Sequence, residues 1–82
     1  MDNISVIFVE QSIKENCLNP DNQKKRTIET FKGKTENGSI FTCHYYHPYT
    51  DESGEGFWSV HRSYSYHREL FNAARKKYLE ER

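Results

Sequence analysis

Residue types able to do chemistry are concentrated between Cys43 and His67, in C-H-Y-Y-H-P-Y-T-D-E-S-G-E-G-F-W-S-V-H-R-S-Y-S-Y-H. All four histidines, the only tryptophan and one of the two cysteines fall there. Cys43, His44, His47 and His61 carry side chains that can ligate zinc. Their spacing opposes a shared site. Cys43 and His44 are adjacent, so on a strand they point to opposite faces, and His44 and His47 also differ by an odd number of positions. There is no Cys-x-x-Cys pair and no His-x3-His spacing. No metal is expected. His61, Arg62, His67, Arg68 and Glu69, with nearby tyrosines, supply a base, an acid and a cation, the set a metal-independent ribonuclease needs. That set is one of composition. No spacing within it is diagnostic, and no Gly-rich phosphate loop, nucleophile elbow or catalytic carboxylate pair accompanies it. The chain therefore reads as non-enzymatic, with no catalytic residue and no cofactor, and the ribonuclease stands third among the readings.

The rings and cations suggest binding instead. Tyr, Trp and Arg anchor protein interfaces, and Tyr45, Tyr46, Tyr49, Trp58, Arg62 and Tyr64 are the expected contact residues. A small neutral chain with surplus rings and no catalytic motif fits a module that binds a protein or protein complex. Lys, Asn, Ile, Tyr and Phe are frequent while Ala and Pro are scarce, a bias common in AT-rich genomes, including those of phages and mobile elements. The specific expectation is a phage-type modulator or inhibitor of a host protein, in the manner of anti-CRISPR or anti-restriction proteins acting on a defence nuclease complex. The alternative is nucleic-acid binding, with Tyr45, Trp58 and Tyr64 stacking bases and Lys32, Lys34 and Arg62 holding phosphates.

Length and charge bound these readings. The 82 residues suffice for a single small domain, stabilised chiefly by its rings, with oligomerisation as a further source of stability. Twelve basic and twelve acidic residues cancel, which opposes non-specific nucleic-acid binding. The charge is nonetheless segregated. Lys24, Lys25, Arg26, Lys32 and Lys34 face only Glu29 in residues 24–34, whereas residues 35–56 are acidic through Glu36, Asp51, Glu52 and Glu55. No signal peptide is evident at Met1 and no apolar run reaches the ~20 residues of a membrane span. The expectation is a cytoplasmic protein with no membrane contact and with Cys17 and Cys43 reduced.

The positioning elements follow from pattern. Ile4 to Val9 is apolar on both faces and reads as a central strand. Glu10 to Asn16 reads equally as more strand, short helix or coil, and Asn19-Pro20-Asp21-Asn22 is a turn, with Lys24, Lys25 and Arg26 following on an exposed connection. Arg26 to Thr35 and Ser39 to His47 form a hairpin about Asn37-Gly38, the favoured pair for a two-residue type I′ turn. That loop would set Lys34 opposite Phe41, Lys32 opposite Cys43, Thr30 opposite Tyr45, Phe31 opposite His44 and Glu29 opposite Tyr46. Pro48 ends the strand, and an acidic loop leads to a fourth strand, Phe57 to Arg62. The last element is an amphipathic helix from Tyr66 to Glu80, capped by Ser63 or Ser65. Its inner face holds Tyr66, Leu70, Phe71, Ala73, Ala74 and Tyr78, with Arg75 on the solvent side. The fold class is α+β: an antiparallel sheet of about four strands with one C-terminal helix packed on one face. In arrangement alone this resembles sheet-reading DNA-binding domains and double-stranded RNA-binding domains. No motif of either aligns, and the leading helix of the RNA-binding type is missing.

Overall fold

The computed structural model describes residues 5–64 and 66–81. Four strands form one antiparallel sheet in the order β1-β2-β3-β4. They are β1 (Val6–Asn19), β2 (Lys24–Thr35), β3 (Ile40–Tyr46) and β4 (Phe57–Ser59), and helix α1 (Arg68–Glu80) packs on one face. The α+β class read from the sequence holds.

β1 contradicts its expected central place, because it lies at the sheet edge. Among the described residues of its apolar run Val6 and Phe8 reach the core, while Ile7 is 61% and Val9 41% exposed. An alternating strand needs cover on one face only. Residues 10–16 extend β1, with register breaks between Phe8 and Glu10 and between Lys14 and Cys17. Asn16, at φ 56°, sits in the second break, where an asparagine tolerates the left-handed conformation. The Asn19–Asn22 turn is present. The Asp21 amide donates to Asn19 Oδ1 at 2.9 Å and the Gln23 amide to the Asn19 carbonyl at 2.8 Å. Lys24, Lys25 and Arg26 belong to β2 and not to a connection.

The β2–β3 hairpin corrects the expected register by one residue. Phe31 pairs with Cys43, Lys32 with Thr42, Thr30 with His44 and Glu29 with Tyr45. The loop has three residues, closed by Gly38 N–H to Thr35 C=O at 3.0 Å and Thr35 N–H to Ser39 C=O at 2.9 Å. Gly38 alone takes positive φ there, 87°, and Asn37 does not. This is the three-residue hairpin with a left-handed glycine, and not the two-residue type I′ turn. A slip of one residue exchanges the faces of a strand. The observed register gathers Phe31, Gly33, Phe41, Cys43 and Tyr45 on one side and Lys32, Lys34, Thr42 and His44 on the other.

The covered face is a ring-packed core. Phe31 and Phe71 are fully buried, with Phe8, Cys43, Val6 and Ala74 beside them. Phe8 stacks on Phe31 at 4.5 Å between centroids, and Phe71 lies 6.1 Å from Phe8, 5.8 Å from Phe41 and 5.6 Å from Trp58. Gly33 makes this possible: a Cβ there would meet Phe41 at 2.7 Å and Phe8 at 3.0 Å. β4 ends at Ser59, and Arg62 lies in a 3-10 turn, Arg62–Tyr64, instead of continuing the strand. Val60 still packs on the core. α1 starts at Arg68, with His67 at the cap position making no side-chain capping bond. Ser63 falls within the 3-10 turn, and Ser65 lies outside the described residues, as does Ile4. Tyr66 is 93% exposed and Ala73 is exposed, so neither contributes to the helix's inner face.

Candidate interaction surface

Two polar constellations flank the sheet, one on each face. On the covered face Glu29 is buried at 2% exposure. Arg75 clasps its carboxylate, with Nη2 donating to Oε2 at 2.6 Å and Nε to Oε1 and Oε2 at 3.1 and 3.2 Å. Gln11 Nε2 donates to Oε1 at 2.6 Å, and His47 Nε2 bonds Oε2. An ionised carboxylate only accepts, so His47 must carry its proton on Nε2. Burial works to raise the Glu29 pKa and is the largest single influence, yet Arg75 and His47 together outweigh it and hold it below the ordinary value. The Arg75 guanidinium also lies 4.5 Å over the Tyr45 ring. The clasp thus ties α1 to β1, β2 and the chain after β3. The sequence reading put Arg75 on the solvent side of α1. The structure corrects this, because Arg75 borders the stripe of Phe71, Ala74 and Tyr78 and Glu29 faces it from the sheet.

Among the described residues no helix lies over the opposite face. By register it carries Ile7, Lys34 and Ile40 at one end, Glu10, Lys32, Thr42, Thr30 and His44 in the middle, and Ile28, Arg26, Tyr46 and Phe57 at the other. Ile7 and Ile40 are each 61% exposed and Phe57 51%. Lys14, Arg26, Lys32 and Lys34 face a single acid, Glu10. Thr30 Oγ1 and His44 Nδ1 share a hydrogen bond of 2.9 Å. The aromatic end is a stack. Tyr46 lies on its cross-strand neighbour Phe57 at 5.0 Å and 18°. The Arg26 guanidinium lies 4.5 Å from the Tyr46 ring, 4.7 Å from the Tyr49 ring and 5.6 Å from the Phe57 ring. Tyr49 is held by Asn19 Nδ2, which donates to its hydroxyl oxygen at 2.7 Å. Hydrogen bonds from Asn22 and Asn19, with the Arg26 charge, keep the Tyr49 phenol below its ordinary pKa. Beside it, Lys24 takes up the acidic loop, 2.7 Å from Glu52 and 3.6 Å from Asp51.

The six contact residues expected from the sequence divide between these faces. Tyr46 and Tyr49 stand on the uncovered side, stacked with Arg26. Tyr45, Trp58 and Tyr64 lie on the helix side, packed against the core. Trp58 Nε1 donates to Asn72 Oδ1 at 2.7 Å, and Tyr64 stacks on Phe41 at 5.2 Å. Trp58, Tyr64 and Arg68 also line an open cleft of about 340 Å³ beside β4, so both rings keep an accessible edge. Arg62 is exposed in the 3-10 turn. Lys32 and Lys34 are exposed on the uncovered face, apart from Tyr45, Trp58 and Tyr64, with which the sequence grouped them. Sequence reasoning missed Arg26, Phe57 and Glu29. Alternation along β2 and β4 places Arg26 and Phe57 once the hairpin register is known, whereas no sequence signal links Glu29 to Arg75, 46 residues away.

The ribonuclease set is spread over one connection. His61 precedes the 3-10 turn and its Nδ1 accepts the Ser63 amide at 3.2 Å, while His67, Arg68 and Glu69 stand at the start of α1. Among the described residues no three of His, Cys, Asp and Glu gather as metal ligands, and no helix is long and apolar enough to cross a membrane. Cys43 is buried and its thiol is pushed up to about 12 by that burial. Both cysteines are free. No protein family, curated protein or solved structure matches the chain.

Proposed function

We propose that this protein is a non-enzymatic protein-binding module that docks through the uncovered face of its sheet. One observation carries the reading: among the described residues no helix covers this sheet face, and its rings are already packed around Arg26, with Tyr46 stacked on Phe57. Rings held in this way lose little freedom on binding, which is how rigid aromatic and arginine anchors gain affinity. The exposed Ile7, Ile40 and Phe57 add apolar contact at both ends of the face. The cations of this face also suit phosphates, the alternative reading. The cluster weighs against base recognition, because Phe57 and Arg26 already pack on Tyr46 and take up ring surface that a base would need. The finer reading, a phage- or mobile-element-borne modulator of a host protein acting in the cytoplasm, draws support from size, composition and the two unpaired thiols.

The test is site-specific photo-crosslinking in the cells where the chain is naturally made. A photoreactive residue at Thr42, on the uncovered face, should yield a discrete protein adduct. The same residue at Lys76, on the solvent side of α1, should yield none. A nucleic-acid adduct at Thr42, or equal capture from both positions, would overturn the proposal.

A further inference from the structure

Tyr45 and Tyr46 are sequence neighbours on opposite faces of β3, and each has an arginine guanidinium 4.5 Å from its ring, Arg75 on Tyr45 and Arg26 on Tyr46. On the covered face the arrangement is complete, since the Arg75 donors close on the Glu29 carboxylate. On the uncovered face it lacks its third member. Among the described residues Arg26 makes no ion pair, and the nearby acids of the loop, Asp51 and Glu52, are taken up by Lys24. Three rings lie within 5.6 Å of the Arg26 guanidinium, and rings packed on a guanidinium restrict it while leaving its in-plane N–H groups for other acceptors. Those groups form a planar fork matched to a carboxylate.

Resting on the protein-binding reading above, we infer that Arg26 is the anchor of the interface and that the partner supplies an acidic segment, with one carboxylate seated on the Arg26 fork. Charge complementarity supports this occupant. Lys14, Lys32 and Lys34 share the face with Arg26, and Glu10 is the one acid among the strand residues there, the loop acids Asp51 and Glu52 being paired with Lys24, although the whole chain is neutral. An acidic protein segment thus meets an attractive field over the length of the sheet. Phe57, 51% exposed at the end of the stack, gives an apolar residue beside that carboxylate a surface to pack on.

The experiment is a titration of the isotopically labelled protein, followed by NMR, with three probes: an oligoglutamate peptide, its glutamine counterpart, and oligothymidylate of equal length. Oligoglutamate should shift the Arg26 side-chain and the Tyr46, Tyr49 and Phe57 signals, and oligoglutamine should not. Arg26→Ala should weaken oligoglutamate binding roughly ten-fold or more, in line with one charge-assisted bidentate contact. Arg26→Lys keeps the charge without the fork and should lose most of the same affinity. Lys76→Ala, on α1, should bind as the wild type does. Retention of wild-type affinity by Arg26→Lys would overturn the anchor, and that variant guards against unfolding of Arg26→Ala. Shifts caused by oligothymidylate alone would overturn the anchor and the protein-binding reading together. Silence from all three probes would overturn the acidic anchor only, because crosslinking at Thr42 tests protein binding without reference to charge.

Discussion

The two faces of this sheet handle the same chemistry differently. Each has an arginine over a tyrosine of β3, but Arg75 meets a buried carboxylate and Arg26 meets none among the described residues. The covered constellation closes on itself and holds α1 to the sheet. The open one holds rings and cation in place without completing the ion pair. Ring-rich composition thus has two uses here. Phe8, Phe31, Phe41 and Phe71 form the core, whereas Tyr46, Tyr49 and Phe57 gather around Arg26, with His44 and Lys24 beside them.

The contrast should appear first in stability. Phe31 is fully buried among rings, so Phe31→Ala should cost about 3–5 kcal/mol, the range for emptying a packed aromatic site. A chain this short has little reserve, and that loss could unfold it outright. Phe57→Ala removes a ring that is half exposed and should cost no more than about 1 kcal/mol. Urea unfolding of both variants checks the division. Similar losses from the two would show that the uncovered stack is part of the folding core.

The clasp comes next. Arg75→Met leaves the Glu29 carboxylate buried with only Gln11 and His47 beside it, and should cost about 3 kcal/mol. The double variant Glu29→Leu, Arg75→Met removes both charges and should recover most of that loss, since well-packed apolar pairs replace buried ion pairs at little cost. If the single variant loses less than about 1 kcal/mol, the clasp behaves as a surface salt bridge and the contrast between faces weakens.

A smaller effect is expected with pH. The folded Glu29 has its pKa lowered relative to the unfolded chain. Its contribution is therefore fully present above the unfolded value and is lost as pH falls through the folded one, where the carboxylate must take up a proton. Unfolding free energy should decline as pH drops below about 4, and Glu29→Gln should flatten that decline. A slope unchanged by the substitution would assign the acid sensitivity to other carboxylates.

Much of the fold was legible because its signals are local. The Asn19–Asn22 turn, the strand content and the C-terminal helix all follow from residue type and period. What was not legible is long-range. Asn37-Gly38 favours a two-residue loop by propensity, yet that register would scatter Phe31, Phe41 and Cys43 over both faces. The three-residue loop gathers them on one face, and core burial outweighs local turn preference. The same slip decides which tyrosine is core. It places Tyr45 under the helix and Tyr46 in the open, so an error of one residue exchanges a structural ring for a candidate contact. Arg75 was misassigned for a related reason: a charged residue beside an apolar helical stripe is read as solvated unless its buried partner is known. Glu29 and Arg75 are 46 residues apart in sequence, and only their meeting in space explains both.

The last prediction therefore concerns the loop that sorts the faces. Gly38 takes φ 87° with no atom within 4 Å of an added Cβ, so Gly38→Ala should meet no clash and act through backbone strain alone. The expected loss is about 1 kcal/mol. Gly38→Asn, whose side chain tolerates positive φ better, should lose less. Both variants should keep the cross-strand amide contacts of Phe31 with Cys43, seen as nuclear Overhauser effects. If the loop propensity set the register, relaxing Gly38 would let the strands slip toward the Phe31–His44 pairing. Because that slip would expose Phe31 and bury charge, packing should hold the register against it. Retained contacts with a modest stability loss would show that the core chooses the faces and the turn only accommodates them. A shift to Phe31–His44 contacts would show the reverse and would move Tyr46 and Arg26 away from the surface assigned to them.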